Sequence, residues 1–150
     1  MKDIIEIYRM LHWHSSYGEQ LFGIEAAKEI DDLSLLIQPM HPEYNKSIWD
    51  NCARVLYEKT DDVLSPYLAQ LFKWVEDLNW PGALIILDRL KIFSGQELKQ
   101  PLESLVNSIM GSINEQDSMW LGNLSLLLKN ESLRGELSQD VKRALEVDRG

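Results

Sequence analysis

Cysteine is nearly missing from this chain. Cys52 stands alone, so no internal disulfide can form and packing must hold the fold. A single thiol within an apolar stripe reads as a small buried hydrophobe and fits a reducing compartment, the cytoplasm. Long apolar runs are missing too. A stretch such as Ala83–Leu87 falls far short of the roughly 20 residues that span a bilayer, so no membrane contact is expected. The opening MKDIIEIYRMLHWH has acids inside its apolar stretch and no small-residue cleavage site, which argues against a signal peptide.

Basic residues are also scarce: 15 Lys and Arg stand against 24 Asp and Glu, a formal charge of −9. Residues 1–60, 61–115 and 116–150 carry −4, −4 and −1, and no cations cluster. Proteins that grip phosphate backbones need a clustered basic face, so nucleic acid is not an expected partner. An acidic surface serves solubility or complements a basic protein.

Chemical signatures are equally thin. His12, His14 and His41 are the only histidines, and Glu43 is the nearest carboxylate to His41 in sequence. There is no HExxH and no CxxC, so no metal site is assigned and the histidines read as polar residues at a wet helix end. No serine sits in a GxSxG elbow, and no glycine-rich loop follows a strand to hold phosphate. Burial in the stripe Trp49, Cys52, Ala53 and Leu56 would keep the thiol protonated and inert. No catalytic residue and no cofactor is expected.

What the chain does have is a helical pattern that recurs. The stripe Trp49, Cys52, Ala53 and Leu56 returns 34 residues later as Ala83, Leu87 and Leu90, and 37 later again as Trp120, Leu124 and Leu127. Each of the first two is followed by a second stripe: Leu68, Leu71, Phe72 and Val75, then Leu102, Leu105, Val106 and Ile109. Apolar spacing of three and four, with short connections, predicts an all-α fold of stacked antiparallel hairpins. The expectation is one domain over 1–150, a HEAT-like α-α superhelix of about seven to nine helices. Capping helices would occupy about 1–38, and repeat units about 45–78, 80–114 and 117–147.

Local signals place the boundaries. Helices are expected over Lys2 to Leu11, Tyr17 to Ile30 and, capped by Asp31 or Asp32, Leu33 to Ile37. The next runs from Asn45 or Ser47 to Lys59. Ser65-Pro66, Asn79-Trp80-Pro81 and Gln100-Pro101 each read as a cap followed by proline in the first turn. Those helices reach about Leu78, Phe93 and Ile113. A last pair begins near Asp117 and Ser132, the final one amphipathic through Leu133, Leu137, Val141 and Leu145, and Asp148 to Gly150 reads as frayed.

The segments SIWDNCARVLYEKTDDVLSPYL, WVEDLNWPGALIILDRL and YGEQLFGIEAAKEI resemble a small bacterial family known only as domain of unknown function 5071. The resemblance extends over about residues 1–115 and more loosely over the last helices, with DLNWPGA its most specific part. It implies an all-helical intracellular bacterial domain and brings no functional residue with it.

Trp74, Glu76, Asp77, Asn79 and Trp80, with Asn51, make the candidate partner or ligand surface. Two indoles near a carboxylate and an amide suit a peptide or a cationic side chain. Glu76-Asp77 lies at a helix C-terminus, where the dipole gives carboxylates no support. The competing structural account has Asn79 as a cap, Trp80 packed between repeats, and Asp77 bonded to a turn or to Arg89. Asp50 and Arg54 read as a surface ion pair, and Asn51, Asp77 and Asp88 would make an acidic groove if they converged. Three functions remain: a protein-binding module with a basic partner, as in immunity or antidote proteins; a small-ligand protein or enzyme using a Trp74–Trp80 pocket; or a structural homo-oligomer subunit.

Overall fold

The computed structural model describes residues 3–111 and 114–147, and among them there is helix and turn but no strand. Two N-terminal helices, α1 (Ile4–Leu11) and α2 (Tyr17–Ala27), are followed by a 3-10 turn at Leu33–Leu36. Then come α3 (Lys46–Tyr57), α4 (Asp61–Leu64), a 3-10 turn at Ser65–Tyr67, and α5 (Leu68–Trp74). The remainder is α6 (Ala83–Lys91), α7 (Gly95–Gly111) and α8 (Glu115–Leu124), then a 3-10 turn at Ser125–Lys129, α9 (Glu131–Glu136) and α10 (Gln139–Glu146).

Short polar side chains start most of these helices. Side-chain oxygens of Asp3, Ser16, Asp32, Asn114, Asn130 and Ser138 each accept a backbone N–H of the first turn that follows. The repeated stripes then face one continuous core. Trp49, Cys52, Ala53, Leu56, Ala83, Leu87, Leu90, Leu124 and Leu127 are buried, and Trp120 is partly so. The second stripes behave alike, with Leu105 only partly covered. Packing runs along the chain: α1 on α2, α2 on α3, α3 on α6, and α6 on the Ser125–Lys129 turn. In addition α5 meets α7, and α7 meets α9 and α10.

The three proline cues were placed differently by the fold. Pro66 lies in the 3-10 turn between α4 and α5, because the helix opens earlier, after Thr60. Pro81 precedes Gly82, the left-handed residue from which α6 starts. Pro101 is inside α7, which opens at Gly95. That early start has a packing reason: the Gly95 N–H donates to Ser132 Oγ at 3.0 Å, and a Cβ at Gly95 would collide with the Leu133 backbone. The final helix is two pieces. Leu137 is extended at φ −73 and ψ 145, and Ser138 caps a new start. The second helix ends at Ala27, not Ile30. Lys2, Ile113 and Asp148 to Gly150 lie outside the described residues.

Gly82 is the position least able to change. Its φ is +82, and an added Cβ would lie 2.8 Å from the Trp49 carbonyl oxygen and 2.7 Å from the Trp74 ring. Gly82→Ala combines a strained backbone with overpacking, so a stability loss of about 2–4 kcal/mol is expected. Urea unfolding followed by circular dichroism checks it; a midpoint equal to wild type would contradict this role for the turn.

Candidate functional site

The segment Asp77–Gly82 closes a tight turn between α5 and α6. Asp77 Oδ1 accepts the Asn79 N–H at 2.8 Å, and its carbonyl accepts the Trp80 N–H at 3.1 Å. Asp50, reaching from α3, accepts the Gly82 N–H at 2.6 Å. The Trp74 indole N–H donates to the Pro81 carbonyl at 2.9 Å. Asp77, not Asn79, therefore satisfies the turn, and Asn79 stays exposed. Asp50 and Arg54 do not form the expected couple: Asp50 holds Gly82 while Arg54 donates to Asn51 Oδ1 at 2.9 Å.

The two candidate indoles do come together, around a third. Trp49 meets Trp74 and Trp80 edge to face, each with ring centroids 6.1 Å apart. These rings face inward: Trp74 is fully buried, Trp80 is partly buried, and Trp49 donates to the Pro39 carbonyl at 2.9 Å. The cluster is therefore a packed joint between α3 and the turn from α5 to α6.

Glu76 and Asn51 are also turned inward. Glu76 is 6 % exposed; it accepts from Lys73 Nζ at 3.2 Å and from Gln116 Nε2. Asn51 is 4 % exposed and donates to the Leu11 carbonyl and to Gln20 Oε1. Asp88 is exposed in a shallow hollow with Arg54, Tyr57, Glu58 and Ile85, which neither Asn51 nor Asp77 lines. The three do not converge. Arg89 goes to Asp61 at 2.6 Å, not to Asp77.

Sequence reasoning missed a set of polar side chains that reach helix ends far away in the chain. Asn123 Nδ2 donates to the carbonyls of Val75 and Glu76, and Trp120 Nε1 to that of Phe72. Asn130 Nδ2 donates to the carbonyls of Leu90 and Phe93, while its Oδ1 caps Leu133. Arg89 donates to the Lys59 carbonyl, and Lys59 Nζ to that of Lys28. An Asn inside or just beyond an apolar stripe was the available signal, since burying an amide without a partner is costly.

The histidines gather near Tyr8 and Tyr44. His41 stacks on Tyr44 with centroids 5.4 Å apart, and His12 lies 5.3 Å from His14 and 6.3 Å from Tyr44. Two of the rings hold turns: His12 Nδ1 accepts the His14 N–H, and His41 Nδ1 accepts those of Glu43 and Tyr44. Among the described residues no group of three or more His, Cys, Asp or Glu is placed to hold a metal ion.

An open groove of about 1110 Å³ lies elsewhere, between α8 and the end of α10, with Met119, Gly122, Asn123 and Leu145 in its walls. Glu97 Oε2 is the one buried side-chain oxygen without a partner among the described residues.

Two buried groups near α3 titrate abnormally. Burial pushes the Cys52 thiol far above its ordinary range. Burial, then the nearby Cys52 and Asp32, push the Tyr8 phenol from 10.0 up to about 12, and its hydroxyl donates to the Leu35 carbonyl at 2.6 Å. The folded state thus holds both protons more tightly than the unfolded state. Tyr8's contribution to stability is complete below pH 10.0 and is lost as pH rises through about 12. Urea midpoints should fall over that window, less steeply in Tyr8→Phe, and Cys52 should resist a thiol reagent until the chain unfolds. A native thiol that reacts at the rate of a free one would overturn the burial argument.

No curated protein and no solved structure matches this chain. A family model does match, over residues 46–147, from α3 to just past α10, leaving the two N-terminal helices outside. With about two thirds of its length covered, the chain belongs to the family described as Domain of unknown function (DUF5071).

Proposed function

We propose that this chain is a non-catalytic protein-binding module of the bacterial cytoplasm. In this reading its hairpins stack as a HEAT-like superhelix, and it acts as an immunity or antidote protein by covering a basic partner. One observation carries the reading: buried Asn51, Glu76, Arg89 and Asn130 all hold other parts of the fold, whereas carboxylates such as Glu25, Glu29, Asp31, Asp62 and Asp140 face outward. Polar groups used to satisfy helix ends are not poised to move protons. An outward acidic surface attracts a cationic protein and steers its approach. The absence of any helix long and apolar enough to cross a membrane, among the described residues, is compatible with that setting.

A small-ligand role draws on the groove between α8 and α10, away from the Trp74–Trp80 joint on which the sequence placed it. Self-association would draw on the exposed side chains of the N-terminal helices.

The protein immobilised in bacterial lysate should retain a basic protein at low ionic strength and release it at high ionic strength. Retention that ignores salt would contradict the reading, as would a ligand thermal-shift panel that raises the melting temperature while no protein is held.

A further inference from the structure

The second helix is built inside out. Its fully buried positions are the small ones, Gly23 and Ala27. A Cβ at Gly23 would lie 2.8 Å from Met10 Cβ, so α1 rests directly on the α2 backbone there. Ile24 packs partly against the core, but three large apolar residues point the other way: Tyr17 is 78 % exposed, Phe22 70 % and Leu21 45 %. Trp13, at the turn leading into α2, is 51 % exposed. Burying these side chains would favour the fold, yet the close approach of α1 turns them to water. Large apolar side chains left in water on one helix face mark a place of contact.

The surroundings say what kind of contact. Phe22 and Glu25 are one turn apart on the same face, and Glu29 follows a turn later at the helix end. Asp31 and Asp32 are exposed just beyond. The one cation within this stretch is Lys28, which is held between Glu25 at 2.8 Å and Glu58 of α3 at 3.0 Å. The face therefore reads apolar at its N-terminal half and acidic at its C-terminal half. An anionic lipid surface would be repelled by that second half.

We infer that the outer face of α2 (Tyr17, Leu21, Phe22 and Glu25), with Glu29 in the turn that follows it, is a docking surface for a cationic amphipathic helix. Apolar anchors of the partner pack over Leu21 and Phe22, and its Lys or Arg, one to two turns along, meet Glu25 and Glu29. The inference rests on the basic-partner reading above and names its surface, which lies outside the part of the chain that the family model matches.

The test uses the whole protein and a synthetic Leu/Lys amphipathic helix of roughly 18 residues, about five turns. Fluorescence anisotropy should show binding that weakens about tenfold in Phe22→Ser and again in Glu25→Gln/Glu29→Gln. Both changes are at exposed positions, so folding should survive, and circular dichroism checks it. A scrambled peptide of the same composition, and one with Glu for Lys, should bind at least about tenfold more weakly. The inference is overturned if the wild type ignores the peptide, if the scrambled peptide binds equally, or if Asp88→Asn/Asp140→Asn on other faces weakens binding as much. It is also overturned if Phe22→Ser instead abolishes binding to phosphatidylcholine vesicles or a concentration-dependent self-association. Salt-sensitive capture of a basic protein that survives Phe22→Ser would sink this surface while leaving the module reading intact; loss of salt sensitivity in the lysate experiment would sink the module itself.

Discussion

The carbonyl oxygens at helix C-termini impose the constraint on which the rest of this fold depends. The last turn of any helix leaves carbonyls without intrahelical partners, and packing hairpins side by side takes them out of water. This chain meets the demand with donors from the following hairpins. Asn51 serves the end of α1, Arg89 the end of α3, Trp120 and Asn123 the end of α5, and Asn130 the end of α6. The reach back is 30 to 48 residues, close to the period of the apolar repeat or somewhat beyond it. Apolar stripes bring hairpins together; amide, guanidinium and indole donors fix how they sit.

That division of labour shapes the functional reading. Residue types that elsewhere do chemistry are here tied to backbone atoms or to each other. Asp61 accepts from Arg89 and from the Ser94 N–H, Glu76 joins α5 to α8 through Gln116, and the inner nitrogens of His12 and His41 hold turns. The interior is busy with its own satisfaction. What stays available to another molecule is the outside, acidic on balance, with exposed large apolar side chains on α2 as on several other elements.

Much of the architecture was legible because it rests on spacing. The stripes at Trp49, Ala83 and Leu102 are periodic in three and four, and burial follows that period. The starts after Ser65, Asn79 and Gln100 were misread because proline marks a preferred first turn. The first of these helices opens after Thr60, and Gly82 and Gly95 set the other two starts through neighbours remote in sequence. The candidate site was half legible. Trp74 and Trp80 do belong to one cluster, but nothing in their spacing says that each would close on Trp49 and leave Asn79 outside. Asn123 and Asn130 stood in the sequence as a signal of buried amides, but their partners were invisible, because each clasp depends on which distant carbonyl comes within reach.

The most direct test of the account is urea unfolding of Asn51→Ala, Asn123→Ala and Asn130→Ala beside Asn79→Ala. Each of the first three removes a donor from carbonyls that packing has taken out of water, so each should cost about 1–3 kcal/mol. Asn79 is exposed and its side chain holds no helix end, so its variant should stay within about 0.5 kcal/mol of wild type. If all four variants unfold at the wild-type midpoint, the clasps do not hold the stack, and those polar side chains are free for another role.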